Sequence, residues 1–200
     1  MVLGWVEKKL YTQFVSFSAI GRWFYDLSDG KRFSVLALKL KGAIEEKYGE
    51  SRGDSVRQIP QTNRFFAGGS GSVRGWSARG LIASGDPQLG GDLLLEGSVE
   101  LRINPLQNLR DGFWDKFWVV QFMDVGDLWP SPSDFRVRDI AVAAGVGIRY
   151  DFFFGPFRID WGFKVYDPID PENRHWITQR KLFGQTLKEG VFHFGIGHAF

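Results

Sequence analysis

The 200-residue chain has no cysteine, which excludes a disulfide framework and a thiolate metal site. Its three histidines, His175, His193 and His198, all lie in the last quarter. So few imidazoles argue against a zinc centre, and no metal or other cofactor is expected. No run of about 18 apolar residues occurs, which excludes a transmembrane helix. Charge of one sign is lacking too: 25 Lys and Arg face 23 Asp and Glu, a formal net charge of +2, with the signs interspersed. There is no concentrated positive track, and no nucleic-acid partner is expected.

What is abundant is aromatic side chains and glycine: 19 Phe, 8 Trp and 25 Gly. A hydrophobic share of 44% with 24% charged residues would suit a soluble domain, so composition alone does not decide the class. Periodicity is more informative. Between 11 and 25, Tyr11, Val15, Phe17, Trp23 and Tyr25 share one parity while Thr12, Ser16, Ser18 and Arg22 take the other. Leu36, Leu38 and Leu40 alternate with Ala37, Lys39 and Lys41; Leu93, Leu95, Val99, Leu101 and Ile103 alternate with Asp92, Glu96, Ser98, Glu100 and Arg102, with Leu94 the exception. Later, Phe157, Ile159, Trp161 and Phe163 oppose Arg158, Asp160, Gly162 and Lys164. This alternation predicts seven strands, at about 11–25, 33–44, 92–103, 115–126, 139–151, 157–166 and 190–200. In the last of them Phe192, Phe194, Ile196, His198 and Phe200 are expected on one face, and Val191, His193, Gly195, Gly197 and Ala199 on the other.

Two architectures use such strands. A soluble sandwich would bury the apolar face and expose the charged one. A transmembrane barrel would turn the apolar face to lipid and the charged one to an enclosed, polar interior, with strands long enough to cross hydrocarbon at a tilt. Loop lengths favour the barrel. The connections at 26–32 and 152–156 are short, whereas those at 46–90, 104–114, 127–138 and 167–189 are mostly long; 104–114 falls by position on the rim of the short turns and the others on the opposite rim, the order expected of an outer-membrane barrel. The first twenty residues place Glu7, Lys8 and Lys9 after an apolar start and lack a signal-peptide cleavage pattern. An export signal is therefore expected upstream, or the chain is one piece of a larger barrel.

The stretch 46–90 has no sustained alternation but contains Arg64-Phe65-Phe66-Ala67-Gly68-Gly69-Ser70-Gly71-Ser72-Val73-Arg74-Gly75-Trp76. Beyond it come Gly97-Ser98-Val99-Glu100-Leu101, Phe122-Met123-Asp124-Val125-Gly126-Asp127-Leu128-Trp129 and the aromatic tail Phe192 to Phe200. With these blocks the chain resembles the carboxy-terminal part of the barrel of the BamA/TamA outer-membrane assembly superfamily, also called the bacterial surface antigen domain. The likeness covers nearly the whole chain and is tightest from residue 59 onward.

The resemblance implies an all-β fold: residues 1–200 as the last seven antiparallel strands of a sixteen-stranded transmembrane barrel, with 46–90 as a loop folded into its interior. It implies that Arg74 of the loop meets Glu100, Phe122 and Asp124 of the wall, that Gly68, Gly69, Val73, Gly75 and Trp76 shape the loop, and that Phe192, Phe194, Gly195, Gly197 and Phe200 form a terminal signal and gate strand. Glu100 and Asp124 could also be drawn as a hydrolytic carboxylate pair, but an arginine between them would remove the protonated acid such chemistry needs. No nucleophile elbow or phosphate-cradling loop is present either, so no enzymatic activity is expected.

The implied setting is the bacterial outer membrane. Its lipid is an expected partner, together with the remaining barrel strands on further sequence or on a separate chain, substrate outer-membrane proteins, and accessory lipoproteins or a larger membrane complex. The implied role is to assist folding, insertion or translocation of outer-membrane proteins. The alternatives are a barrel anchor or secretion pore for an upstream passenger or phospholipase domain, and a solute channel, which a plugging loop disfavours.

Overall fold

Alternation of period two needs neighbouring strands to satisfy the backbone, and a single sheet supplies them. In a computed structural model, described for residues 11–29, 33–53, 58–105, 112–153 and 155–200, the strands are β1 (Phe14–Asp26), β2 (Phe33–Lys47), β3 (Leu93–Asn104), β4 (Phe117–Trp129), β5 (Ala141–Phe152), β6 (Gly155–Tyr166) and β7 (Val191–Ile196). They form one antiparallel sheet in the order β1-β2-β3-β4-β5-β6-β7, each paired with its neighbour in sequence. Successive connections therefore alternate between two rims, and the long ones at 48–92, 130–140 and 167–190 share one rim.

Register fixes the faces. Ala37, Lys39, Ala43 and Glu45 of β2, Glu96, Ser98, Glu100 and Arg102 of β3, Phe122 and Asp124 of β4, Arg149 of β5, Arg158 and Asp160 of β6 and His193 of β7 are all buried on one face, called inner here. The other face leaves Val15, Phe17, Trp23, Leu40, Val99, Met123, Val146, Ile148, Phe157, Phe192, Phe194 and Ile196 exposed. A water-soluble sandwich would do the reverse. A wall with apolar side chains outward and ionic ones inward is what a bilayer requires.

The chain between β2 and β3 is what buries the inner face. Strand β2 runs to Lys47, past the boundary the alternation suggests, because Glu45 still points inward and Glu46 outward in register with Ser16 and Val15. The loop then folds back over the sheet and carries a small apolar core of its own: Ala67, Val73, Trp76, Leu81 and Ile82 pack with Ala43, Leu94, Leu128, Ala141 and Ala143. This accounts for Leu94, the break in β3's alternation. It is an inner residue made apolar because loop side chains cover it, and burying a leucine contributes about 1.5–3 kcal/mol.

Two departures from simple alternation matter. In β6, Ala143 pairs with Lys164 and Val142 with Tyr166, so Val165 is an extra residue in a bulge. Such a bulge re-aims side chains: Lys164 stays inside, 5.0 Å over the Trp76 ring, while Tyr166 turns out to meet Trp176. The second departure corrects the expectation for the tail. β7 ends at Ile196, and Gly197 adopts φ +93°, which favours glycine. Its N–H donates the last bond, to the Pro156 carbonyl at 2.7 Å. Beyond it the chain turns inward. Phe200 is not on the outer face with Phe194; its ring lies 5.6 Å from Lys39 Nζ and 5.3 Å from Arg102 Cζ, on the inner face.

Candidate functional site: the loop arginine and its wall

The loop is tied at its neck. Phe65 and Gly91 exchange both backbone hydrogen bonds, each 3.0 Å. Beside them Arg64 donates from Nε to Asp92 Oδ1 (2.7 Å) and from Nη2 to the Pro130 carbonyl (3.2 Å), so one fork joins the loop, the start of β3 and the β4–β5 connection. From this neck the chain descends to Ser70-Gly71. Lys39 Nζ donates to the Gly71 carbonyl (2.9 Å) and Arg158 Nη1 to the Ser70 carbonyl (2.8 Å), which grips the tip between β2 and β6. Gly68 and Gly69 take positive φ, 91° and 103°. Ser72 accepts from the Gly68 N–H (2.9 Å) and donates to Glu96.

Arg74 is 1% exposed. Its Nε and Nη2 donate to Asp124 Oδ2 and Oδ1 at 2.7 and 2.8 Å, a two-toothed pairing that suits the planar fork, and its backbone N–H donates to Asp124 Oδ2 at 3.1 Å. Nη1 donates to Glu100 Oε1 at 2.5 Å, and Nη2 is 3.3 Å from Ser98 Oγ. The guanidinium carbon stands 3.5 Å above the centre of the Phe122 ring. Burial alone would lower this group's pKa. Hydrogen bonding and charge from Asp124, with charge from Glu100 and Asp160, outweigh that and raise it, so the guanidinium stays ionised.

The loop can approach this closely because Gly162 of β6 has no side chain; a Cβ there would collide with the Arg74 carbonyl. A Cβ on Gly75 would likewise press on Ala143. Trp76 and Val73, flanking the arginine on its buried side, belong to the loop core. Thus Val73, Gly75 and Trp76 seat the backbone, and Gly68 and Gly69 bend it.

The wall brings more charge to this point than Glu100, Phe122 and Asp124. Arg102 Nε donates to Glu100 Oε2 (2.8 Å), Arg149 Nη1 to Asp160 Oδ1 (2.5 Å), and Arg158 Nη1 lies 3.3 Å from Asp160 Oδ2. Asp160 Oδ2 is also 3.6 Å from Arg74 Nη1. Around Arg74, then, Glu100, Asp124 and Asp160 are interleaved with Arg102, Arg149 and Arg158. Each charge has at least one opposite partner within ion-pair distance, which is how so many buried ions can coexist. In sequence, Ser98, Asp160 and the three wall arginines are marked by their inner parity, with no partner assigned to them. His193, on β7, places Nε2 2.8 Å from the Arg74 carbonyl. Of the other tail residues, Phe192 and Phe194 face outward, Gly195 lies under the Arg158 guanidinium, and Gly197 makes the inward turn.

A loop arginine held by wall carboxylates inside a sheet of outward apolar face is the arrangement to set against known proteins. The model of the Omp85 superfamily domain matches residues 9–200. The chain belongs to the Omp85 superfamily. Among solved structures it is similar to BamA from Haemophilus ducreyi lacking POTRA domains 1–3, at 18% identity and a TM-score of 0.61, over 77% of this chain and 32% of that one. The chain thus corresponds to about a third of the length of that BamA structure. At this identity the likeness is one of fold: an antiparallel seven-stranded sheet resembling part of a barrel. Omp85 membership makes this an outer-membrane protein of a family that is not enzymatic.

Proposed function

We propose that this Omp85 chain works in outer-membrane protein biogenesis, as the carboxy-terminal seven strands of a sixteen-stranded barrel that assists the folding and insertion of client proteins. The observation that carries this reading is the seated loop: Arg74 bound by Asp124 and Glu100 over Phe122 fills the inner face, which disfavours a solute channel. Among the described residues β1 has no partner on its far edge and β7 none on its own. In hydrocarbon such edges must be satisfied, and further strands of the same barrel would close β1. The short β7, with Phe192, Phe194 and the Gly197 turn, would serve as the edge at which a client strand is received, and Phe200 as part of the terminal signal.

The test is replacement of the chromosomal protein by the Arg74→Ala variant, followed by the rate at which client barrels become heat-modifiable. Slowed client folding with the variant still in the outer membrane supports the reading. Normal client folding, with loss only of a secreted passenger, would transfer the role to a secretion pore.

A further inference from the structure

We infer that His193 is the positioning residue that couples the seated loop to the edge strand β7. β7 is the shortest strand, six residues against twelve or more in each of the others, and its register with β6 spans only Gly162↔Val191 to Phe157↔Ile196. On its outer side the main tie is Phe192 stacked on Trp161, centroids 5.0 Å apart and planes 8° from parallel. On its inner side the strand presents Val191, His193 and Gly195. Gly195 has no side chain to offer. His193 is buried and reaches across to the loop, where its Nε2 bonds the Arg74 carbonyl at 2.8 Å.

That carbonyl belongs to a peptide whose position is set by the arginine itself. The Arg74 N–H is bound by Asp124 and the guanidinium by Asp124 and Glu100, while the carbonyl sits so close to Gly162 that a Cβ there would collide with it. A carbonyl only accepts, so the His193 Nε2 must carry the proton. If the guanidinium leaves its carboxylates, the carbonyl moves with it, and His193 is left buried with an unsatisfied donor. The seat of the loop and the anchorage of β7 are therefore one linked equilibrium. Loosening either loosens the other by the same factor. The inference extends the proposed function, because β7 is the strand at which a client would be received, but it does not need a client to be tested.

The experiment is hydrogen exchange on the folded protein in lipid, reading amides 191–196 of β7 with amides of β4 as internal reference. Arg74→Ala is expected to speed exchange of β7 about tenfold, the effect of one lost buried hydrogen bond. His193→Phe is expected to do the same, and Arg74→Ala added to it is expected to do nothing more to β7. His193→Gln, which keeps a side-chain N–H donor, is expected to restore protection. Effects of Arg74→Ala and His193→Phe that simply add, a failure of His193→Gln to rescue, or unchanged β7 exchange in Arg74→Ala would each overturn the coupling. Should His193→Phe not fold, Arg74→Ala alone decides it. Coupled exchange in a protein that does not assist client folding would leave this inference standing and remove the proposed function instead.

Discussion

Arg74 stands over Phe122, its guanidinium carbon 3.5 Å from the ring centre, while Asp124 and Glu100 take its N–H groups. Phe122→Leu keeps the volume nearly apolar but removes the ring's negative face, and should destabilise the seated loop by about 1–2 kcal/mol. Arg74→Ala should cost about 3–5 kcal/mol, since Asp124 would stay buried without its cation and Glu100 would keep only its wall arginines. Arg79, exposed at 4.3 Å over the Phe66 ring, makes the comparison: Arg79→Ala should change stability by about 1 kcal/mol or less. Denaturant unfolding in detergent measures all three, and equal losses at positions 74 and 79 would count against the site.

Leu94 and Leu95 are adjacent in β3 but point to opposite faces of the sheet. Leu94 is covered by the loop core at 1% exposure, so Leu94→Ala should destabilise by about 2–5 kcal/mol and raise protease sensitivity of the loop. Leu95→Ala, on the outer face, should leave the loop as protected as before. Limited proteolysis of the two variants in lipid separates them.

The inward tail makes a covalent prediction. A Cβ on Gly71 would stand 4.0 Å from the Ala199 carbonyl, and the chain has no native cysteine. The double variant Gly71→Cys, Ala199→Cys should therefore form an intramolecular disulfide under mild oxidation, seen as a shift on non-reducing gels. Failure of the bridge to form would count against the approach of the tail to the loop tip.

The long connection between β6 and β7 is braced by charge outside the membrane-spanning strands. Burial would raise the Asp170 pKa, but the Arg174 backbone N–H, at 2.7 Å, and the Arg180 and Arg174 charges outweigh it and hold the carboxyl below its ordinary value of 3.8. With the folded value depressed, the stabilisation is fully present above 3.8 and disappears as pH falls through the folded pKa. Protease protection of 167–190 should thus hold at pH 5 and fail only on acidification below that ordinary value. Asp170→Asn should be less protected at neutral pH and lose this acid transition.

The sequence shows the strands because alternation is a local property: Glu100 against Leu101, or Asp160 against Trp161, places each side chain on a face without knowledge of its neighbours. Motif likeness singles out Glu100, Phe122 and Asp124 as the surroundings of Arg74. What sequence does not show is set by distant partners. Leu94 reads as an error in a polar row until Leu81 and Val73 are laid over it. Arg149 and Arg158 are visible as inward charges, but their shared dependence on Asp160 appears only when β5 and β6 are in register. The tail is misjudged for a different reason. Parity extrapolates a straight strand, and a single glycine at φ +93° ends the extrapolation at residue 197.

The paired hydrogen bonds between Phe65 and Gly91 give the excursion between them a closed stem. A stem of that kind makes the segment a stopper on a collar rather than a slack cord: its tip can be withdrawn from the wall while the segment keeps its outline. Re-entry then asks for a swing about one point instead of a fresh search by every residue. A cut anywhere between residues 66 and 90 would leave both halves hanging from the same collar, still within reach of Asp124.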